Sequence, residues 1–473
     1  MKKFIEQPQN IFLIIAIFWG FLFMIFNPPF QAPDEDSHLY KIYGITDGSW
    51  SFKKYTTDNI GGVSLGKRLT FSGQILPSGL VQASRYNKRI TGEPLKKTSF
   101  EETAQIAKIS LDKQNKIFIG YPAPFYTPLS YIPAIFFVFI LKLINASPFW
   151  MLYISRICSL ITYTALLYFT IKITPVKKWM FLTLGLLPMC LYQASALSTD
   201  GLSNGAAFLL TAYALYLSFS KEVKKITKRH ILTFLGLITL LSICKFTYFW
   251  LILLYFLIPQ ERFDSKLQKY KFFALTFGIS GALCIIPILY HMHITQGLQA
   301  VQSFSTNLEK SDLTKFIFNH PIEYILLILK TLLYNFRYYL NGFVGLFGWI
   351  DTPLPYYAVW TYIYTIVLAS MTNYDEKSVN INLKEKCLFC VISLACLLLI
   401  CTSCYLNFLP DDYTNTIAGI QGRYFIPFAP LFFLLFYNTK INFKTKLFEY
   451  LIIFLINFVL FISLIRIIYR FYI

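Results

Sequence analysis

IFLIIAIFWGFLFMIFNPPFQAPDEDSHLYKIYG, residues 11–44, is the stretch that decides how the rest is read. Residues 11–28 carry no charge and are long enough to cross a bilayer, which takes about 20 apolar residues. Three acids, Asp34, Glu35 and Asp36, follow at once. Carboxylates placed where a helix emerges into water can bind a cation, act as a base, or simply be solvated. The whole chain of 473 residues is 56% hydrophobic and 18% aromatic, with 14% charged residues and a mean hydropathy of +0.52. Soluble domains carry about 25% charged residues. The expected fold class is therefore an all-α polytopic integral membrane protein.

The net charge of +19 comes from basic residues gathered in loops between apolar runs. That is the pattern of cytoplasmic loops and anionic headgroups rather than of nucleic-acid binding. The nine cysteines lie mostly inside apolar segments. The pairs Cys387/Cys390 and Cys401/Cys404 have no histidine nearby, so all are read as small apolar helix residues. The large first loop has no cysteine to staple it. MKKF and the run behind it are read as a retained first helix, because no small-residue cleavage site follows.

Clear spans are expected at 11–28, 153–173, 179–196, 201–219, 272–292, 387–404, 424–438 and 447–468. Less simple apolar runs cover 128–146, 231–259, 322–346 and 356–371. The total is about 10–13 helices. Three regions follow: a first transmembrane helix (1–28), an extracytoplasmic loop with the acidic motif (29–127), and a polytopic bundle (128–473). Lys2/Lys3, Lys177/Lys178 and KEVKKITKRH (221–230) are placed inside the cell by their charge. Residues 231–259 have basic flanks on both sides. The segment must then turn back near Cys244–Tyr248 with Lys245 toward the outer side; a single tilted helix is the alternative. Residues 128–146 conflict with the alternation, and either lie along the outer surface or form a hairpin.

This topology puts Asp34, Glu35, His38, Arg156, Asp200, Lys245, Asp351 and Arg423 at or near one face. Ionisable residues at helix ends are functional candidates by default. Pro33 and the acids after it look like a helix start. Asp34 and His38, four apart, would share a face and could hold a cation or a sugar hydroxyl together. Arg423 suits a phosphate through its fork, and Lys245 as a point charge. Each has a plainer reading: helix capping for the acids and Asp200, a rigid turn for Asp351, interfacial snorkelling for Arg156, Lys245 and Arg423.

Several blocks resemble a known family. Phe30-Gln31-Ala32-Pro33-Asp34-Glu35-Asp36-Ser37-His38, LPMCLYQASALSTDG (187–201), KFTY (245–248), GWIDTPLP (348–355) and QGRYFIP (421–427) resemble the bacterial membrane family called domain of unknown function 2142. That family is similar to the GT-C glycosyltransferases, integral-membrane enzymes that use sugars linked to a polyprenyl phosphate. The resemblance implies a GT-C-like bundle, multi-pass in the cell membrane, with its active face extracytoplasmic. It also implies that Asp34 and Glu35, the acids of the first external loop, act as base or bind a metal (Mg or Mn). Asp36-Ser37 depart from the family's usual small or proline pair, which leaves Asp36 without an implied role.

Chemistry fills in the rest. Asp34 is the expected base, with Glu35 or His38 to orient it. Arg423, Lys245 and Arg156 are candidates for the donor phosphate, and Tyr40, Asp200, Asp351 and Gln421 for the remaining substrate. Trp349 and Tyr43 are candidates for stacking on a sugar. The implied partners are a polyprenyl-phosphate-linked sugar donor, an envelope glycan, lipid or protein acceptor, and membrane lipids. A lipid-linked glycan flippase or transporter, and a surface-polysaccharide polymerase or ligase, are the alternatives.

Overall fold

The computed structural model describes residues 7–49, 53–60, 63–120, 127–295, 310–372, 379–408, 415–438, 441 and 446–473. The first span, α1, covers Pro8–Phe26, and Pro8 in the first turn has no amide proton to leave unpaired. α2 (Glu35–Thr46) carries the acidic motif. A three-stranded antiparallel sheet follows, built from β1 (Lys53–Ile60), β2 (Val63–Pro77) and, further on, β3 (Lys116–Gly120), in the order β1-β2-β3. Between β2 and β3 lie α3 (Ser78–Tyr86) and α4 (Phe100–Lys108); Ser99 and Glu102 close a capping box on α4. α5 (Ile132–Leu143) then packs on α6 (Pro148–Ile173) across a turn in which Asn145 takes φ 54°.

The bundle continues with α7 (Lys178–Gly185), α8 (Pro188–Ala194), α9 (Asp200–Phe219) and α10 (Lys228–Cys244). Next come α11 (Lys266–Thr295), α12 (Lys310–Asn319), α13 (Pro321–Tyr334) and α14 (Phe336–Val344). A short ribbon of β4 (Leu346–Phe347) and β5 (Thr352–Pro353) leads to α15 (Tyr356–Met371), α16 (Leu383–Asn407), α17 (Ala429–Leu434) and α18 (Lys446–Phe471).

Six helices among the described residues are long and apolar enough to cross a membrane: α1, α6, α9, α11, α16 and α18. The pair α12–α13, bent by 104°, makes a seventh if taken as one broken span. The expected 10–13 is approached only by also counting shorter pieces such as 178–194, 128–143, 246–257 and 422–434. Proline explains part of this: Pro188 ends one apolar run and starts the next. α11 leaves Leu275, Leu283, Ile286 and Leu289 47–62% exposed, a face that hydrocarbon covers in a polytopic protein.

Residues 231–259 form the turned-back arrangement rather than one tilted helix. The Ile226 amide donates to the Arg262 carbonyl at 2.8 Å, so both basic flanks meet. The chain goes out as 17 residues of α10 and returns as a 12-residue 3-10 helix, Phe246–Leu257. At 1.5 and 2.0 Å per residue the two limbs are about 25 and 24 Å long, so they match. Three residues per turn also stack the side chains in rows. The rows 248-251-254-257 and 249-252-255-258 are buried, while Trp250 and Phe256 face outward. Residues 128–143 form a 3-10 turn and the short helix α5, about 18 Å long and too short to span.

Two hydrophobic cores result. The larger joins α1, α6–α10, the 3-10 limb, α15, α16 and α18. The smaller packs α2, α3 and β2 against the start of α6 through Leu39, Ile42, Leu76, Leu80, Met151 and Leu152. Lys177, Lys178, Ser220 and Glu222 line one cavity at the end of the bundle where α6 and α9 finish. The acidic motif lies where those helices begin.

Candidate functional site

α1 ends at Asn27 and α2 begins at Glu35, and the joint between them is held by one buried arginine. Arg156, on α6, is fully buried. Its Nε donates to Glu35 Oε1 at 2.8 Å and its Nη2 to Glu35 Oε2 at 2.6 Å. The other guanidinium protons reach the carbonyls of Met24, Asn27 and Pro28 at 3.1, 2.8 and 3.0 Å. All five donors of a guanidinium are thereby used. Glu35 Oε1 also accepts from the Leu197 amide at 2.9 Å. The roles expected of Glu35 (catalytic, metal) and of Arg156 (phosphate) are therefore corrected: Arg156 has no donor left for a phosphate, Glu35 is fully buried against it, and together they pin α1, α2, α6 and the 197 turn.

Asp34, one residue earlier, lies on the other side of that joint. Its backbone is left-handed, φ 63° and ψ 10°, a conformation that Asp tolerates better than most residues. Asp200, Lys245 and Arg423 act electrostatically on both Asp34 and His38. Asp200 opens α9, Lys245 sits at the apex of the 231–259 hairpin, and Arg423 lies in the 3-10 turn Gly422–Phe428. That turn sits tightly on α14: a Cβ on Gly422 would collide with the Tyr339 carbonyl oxygen, so only glycine fits ahead of Arg423.

Asp200 is the hub. Its Oδ1 pairs with Lys245 Nζ, and its Oδ2 lies 3.8 Å from Arg423 Nη1. Gln193 donates to Oδ2 at 2.5 Å and is itself held by Asn204 at 3.0 Å. The Tyr424 ring lies 5.0 Å from Lys245 Nζ and 5.7 Å from the Arg423 guanidinium, flanking both cations. Arg423 Nε is buried with no hydrogen-bond partner among the described residues. Burial raises the Asp34 carboxyl pKa, Asp36 and Asp200 push the same way, and Arg423 and Lys245 oppose. Burial lowers His38 to about 4, helped by the two cations. Its imidazole is neutral at physiological pH, with Nδ1 2.6 Å from the Tyr131 hydroxyl.

One wall of this cluster opens on an apolar groove. A cavity of about 390 Å³ runs between α10, the 3-10 limb, α11 and α16, and is lined by Cys244, Cys284, Pro287, Ile288, Ile400 and Cys404 among others. Lys245 and Tyr424 also border it. On the far side of Arg423 a water-sized cleft of about 10 Å³ touches Pro33, Gly348 and Gln421.

The other expected residues fall elsewhere. Tyr40 is buried in the smaller core with its hydroxyl on Ser84, and Tyr43 is buried beside it, so neither stacks on a ligand. Asp351 is bound to Arg470 of α18 at 2.7 and 2.9 Å and is a latch for the GWIDTPLP turn. Gln421 stays beside Arg423. A divalent metal on Asp34 and Glu35 does not fit: Glu35 is buried against Arg156, and the charges of Arg423 and Lys245 already act on Asp34. Among the described residues no group of three or more His, Cys, Asp or Glu side chains is arranged to hold one. Tyr131, Gln193, Asn204 and Tyr424 were not foreseen. Gln193 and Tyr424 lie inside the quoted blocks and could have been, whereas Tyr131 and Asn204 carry no local signal.

Lipid-length helices with polar side chains gathered at one end make this an integral membrane protein of the polytopic class. The chain belongs to the family described as predicted membrane protein (DUF2142), whose profile matches residues 17–432 and so takes in the whole cluster from Asp34 to Arg423. No curated protein and no solved structure matches it.

Proposed function

We propose that the protein is a membrane glycosyltransferase that moves a sugar from a polyprenyl-phosphate-linked donor to a cell-envelope acceptor. One observation carries the reading: Lys245 borders an apolar groove and belongs to a charged cluster with Asp200, Arg423 and Asp34. An isoprenoid tail suits the groove, and its phosphate suits Lys245 at the groove's edge with Arg423 beyond it across Asp200. The basic loops gather at the opposite end, which the positive-inside rule assigns to the cytoplasm; the cluster is then extracytoplasmic.

In this chemistry the bond from the anomeric carbon to the phosphate oxygen breaks, and its electrons stay on the phosphate. Lys245 and Arg423 stabilise the departing charge. The acceptor oxygen bonds to the anomeric carbon, which passes through an oxocarbenium-like state. The acceptor proton goes to Asp34, whose raised pKa makes it a stronger base than an exposed carboxylate. Neutral His38 keeps its ring in place through Tyr131.

The test is transfer of radiolabelled sugar from a synthetic polyprenyl-phosphate donor into the envelope fraction by membranes containing the protein. Label transfer that Lys245→Gln abolishes supports the reading, and transfer indifferent to both Lys245→Gln and Arg423→Gln removes it. Sugar labelling of a deletion strain separates the rivals. Loss of one decoration marks a transferase, loss of polymer export a flippase, and shortened chains a polymerase.

A further inference from the structure

We infer that residues 92–100 are an interfacial anchor that seats the extramembrane region on the lipid surface beside α18. The tip GEPLKK (92–97) carries Leu95, which is 93% exposed, between Pro94 and Lys96. Leu95 has no counterpart in either core. An isolated exposed leucine needs no explanation, but this one has a fixed address. Lys97 Nζ donates to the Tyr469 carbonyl at 2.7 Å and to the Arg470 carbonyl at 3.2 Å. The Thr98 amide donates to the Phe471 carbonyl at 2.8 Å. The tip is thus clamped to the last turn of α18, where orphan carbonyls accept such donors.

The height of that turn follows from length. α18 has 26 residues, about 39 Å of helix, against a hydrocarbon thickness of about 30 Å. A second span gives the same level: Phe100 packs edge-on against Phe26, the last residue of α1, with centroids 5.9 Å apart. It also stacks on Tyr472 at 4.6 Å. Two spans therefore end at Phe100, at the border between hydrocarbon and headgroups. Around it stand exposed Leu95, Phe100, Tyr469 and Ile473, flanked by Lys96 and Lys97. Apolar and aromatic side chains with exposed Lys96 at their edge match that border, where a lysine meets headgroup phosphates. The occupant of the patch is the lipid bilayer.

The experiment uses the full chain in phospholipid vesicles. Leu95→Cys is labelled with an environment-sensitive fluorophore, and wild-type protein labelled in parallel supplies the background from exposed Cys387 and Cys390. The same labelled protein in vesicles without the quencher is the reference. Lipids carrying a quencher near the headgroup should remove more than half of the emission at position 95. Emission at 95 that is water-like and unchanged by the quencher lipid would overturn the inference. Leu95 makes no core contact, so the substitution leaves folding intact; unchanged thermal unfolding confirms it.

Discussion

Asp34 and Glu35 are neighbours in the chain, and they serve two regions built on opposite terms. Around Glu35 the polar groups are paired: the buried carboxylate accepts three hydrogen bonds, and the buried Arg156 guanidinium has no spare donor. Around Asp34 the valences are shared and strained. One carboxylate, Asp200, stands between two cations, Arg423 Nε lacks a partner, and an apolar groove opens alongside. A saturated cluster holds a fold together, and an unsaturated one can accept something. The one-residue step between them turns on the left-handed backbone at Asp34, which sends adjacent side chains into different regions.

The comparison breaks most easily at the saturated pair. Arg156→Ala leaves a buried carboxylate unpaired and should cost about 3–5 kcal/mol, read as a collapse of yield and melting temperature in detergent. Arg156→Lys should rescue little, since an ammonium cannot replace five donors in a fork. An Arg156→Ala protein that melts like wild type would erase the distinction. Next comes Asp34→Asn, which tolerates the same backbone and should lower sugar transfer by about 10²–10⁴-fold while the melting temperature stays put. Because the Asp34 pKa is raised, wild-type activity should fall as pH drops through that raised value. Arg423→Gln and Lys245→Gln should each lower transfer by about 10²–10³-fold, again without a stability loss of the Arg156 kind.

A smaller effect belongs to His38. Its folded pKa, about 4, lies below the unfolded value of 6.5, so the unfolded chain binds the extra proton between those limits. Stability should therefore fall on acidification from pH 6.5 toward about 4, by up to about 1.4 kcal/mol per pH unit. His38→Gln should flatten that slope in a pH series of melting curves. The smallest effect is expected at the third acid. Asp36 lies 3.9 Å from the exposed Lys88, and Asp36→Asn should change stability by less than about 0.5 kcal/mol. Asp34→Asn should thus give an inactive protein and Asp36→Asn a nearly normal one, while loss of Arg156, the partner of the acid between them, destabilises the fold.

The division was only partly legible from the chain. Hydropathy and loop charge were enough for the membrane class and for gathering Asp34, Asp200, Lys245 and Arg423 at one end, because those signals are periodic or compositional. The turn-back at Cys244–Tyr248 was legible for the same reason: basic flanks on both sides of 231–259 demand it. Glu35 and Arg156 were misread because their partnership joins residues 121 apart, and nothing local tells a saturated arginine from a hungry one. Tyr40 was misread because an aromatic ring suits a sugar and a core equally well. Asp351 was misread because its partner, Arg470, lies 119 residues away.

The 3-10 limb Phe246–Leu257 makes the hairpin adjustable in whole steps. Adding or removing three residues there keeps every side chain in its row while lengthening or shortening the limb by about 6 Å. The lysine at the apex would ride with it, away from its aspartate or past it. Loop-length variants of this segment would serve as a built-in gauge of how deep an ammonium group must sit for the cluster to work.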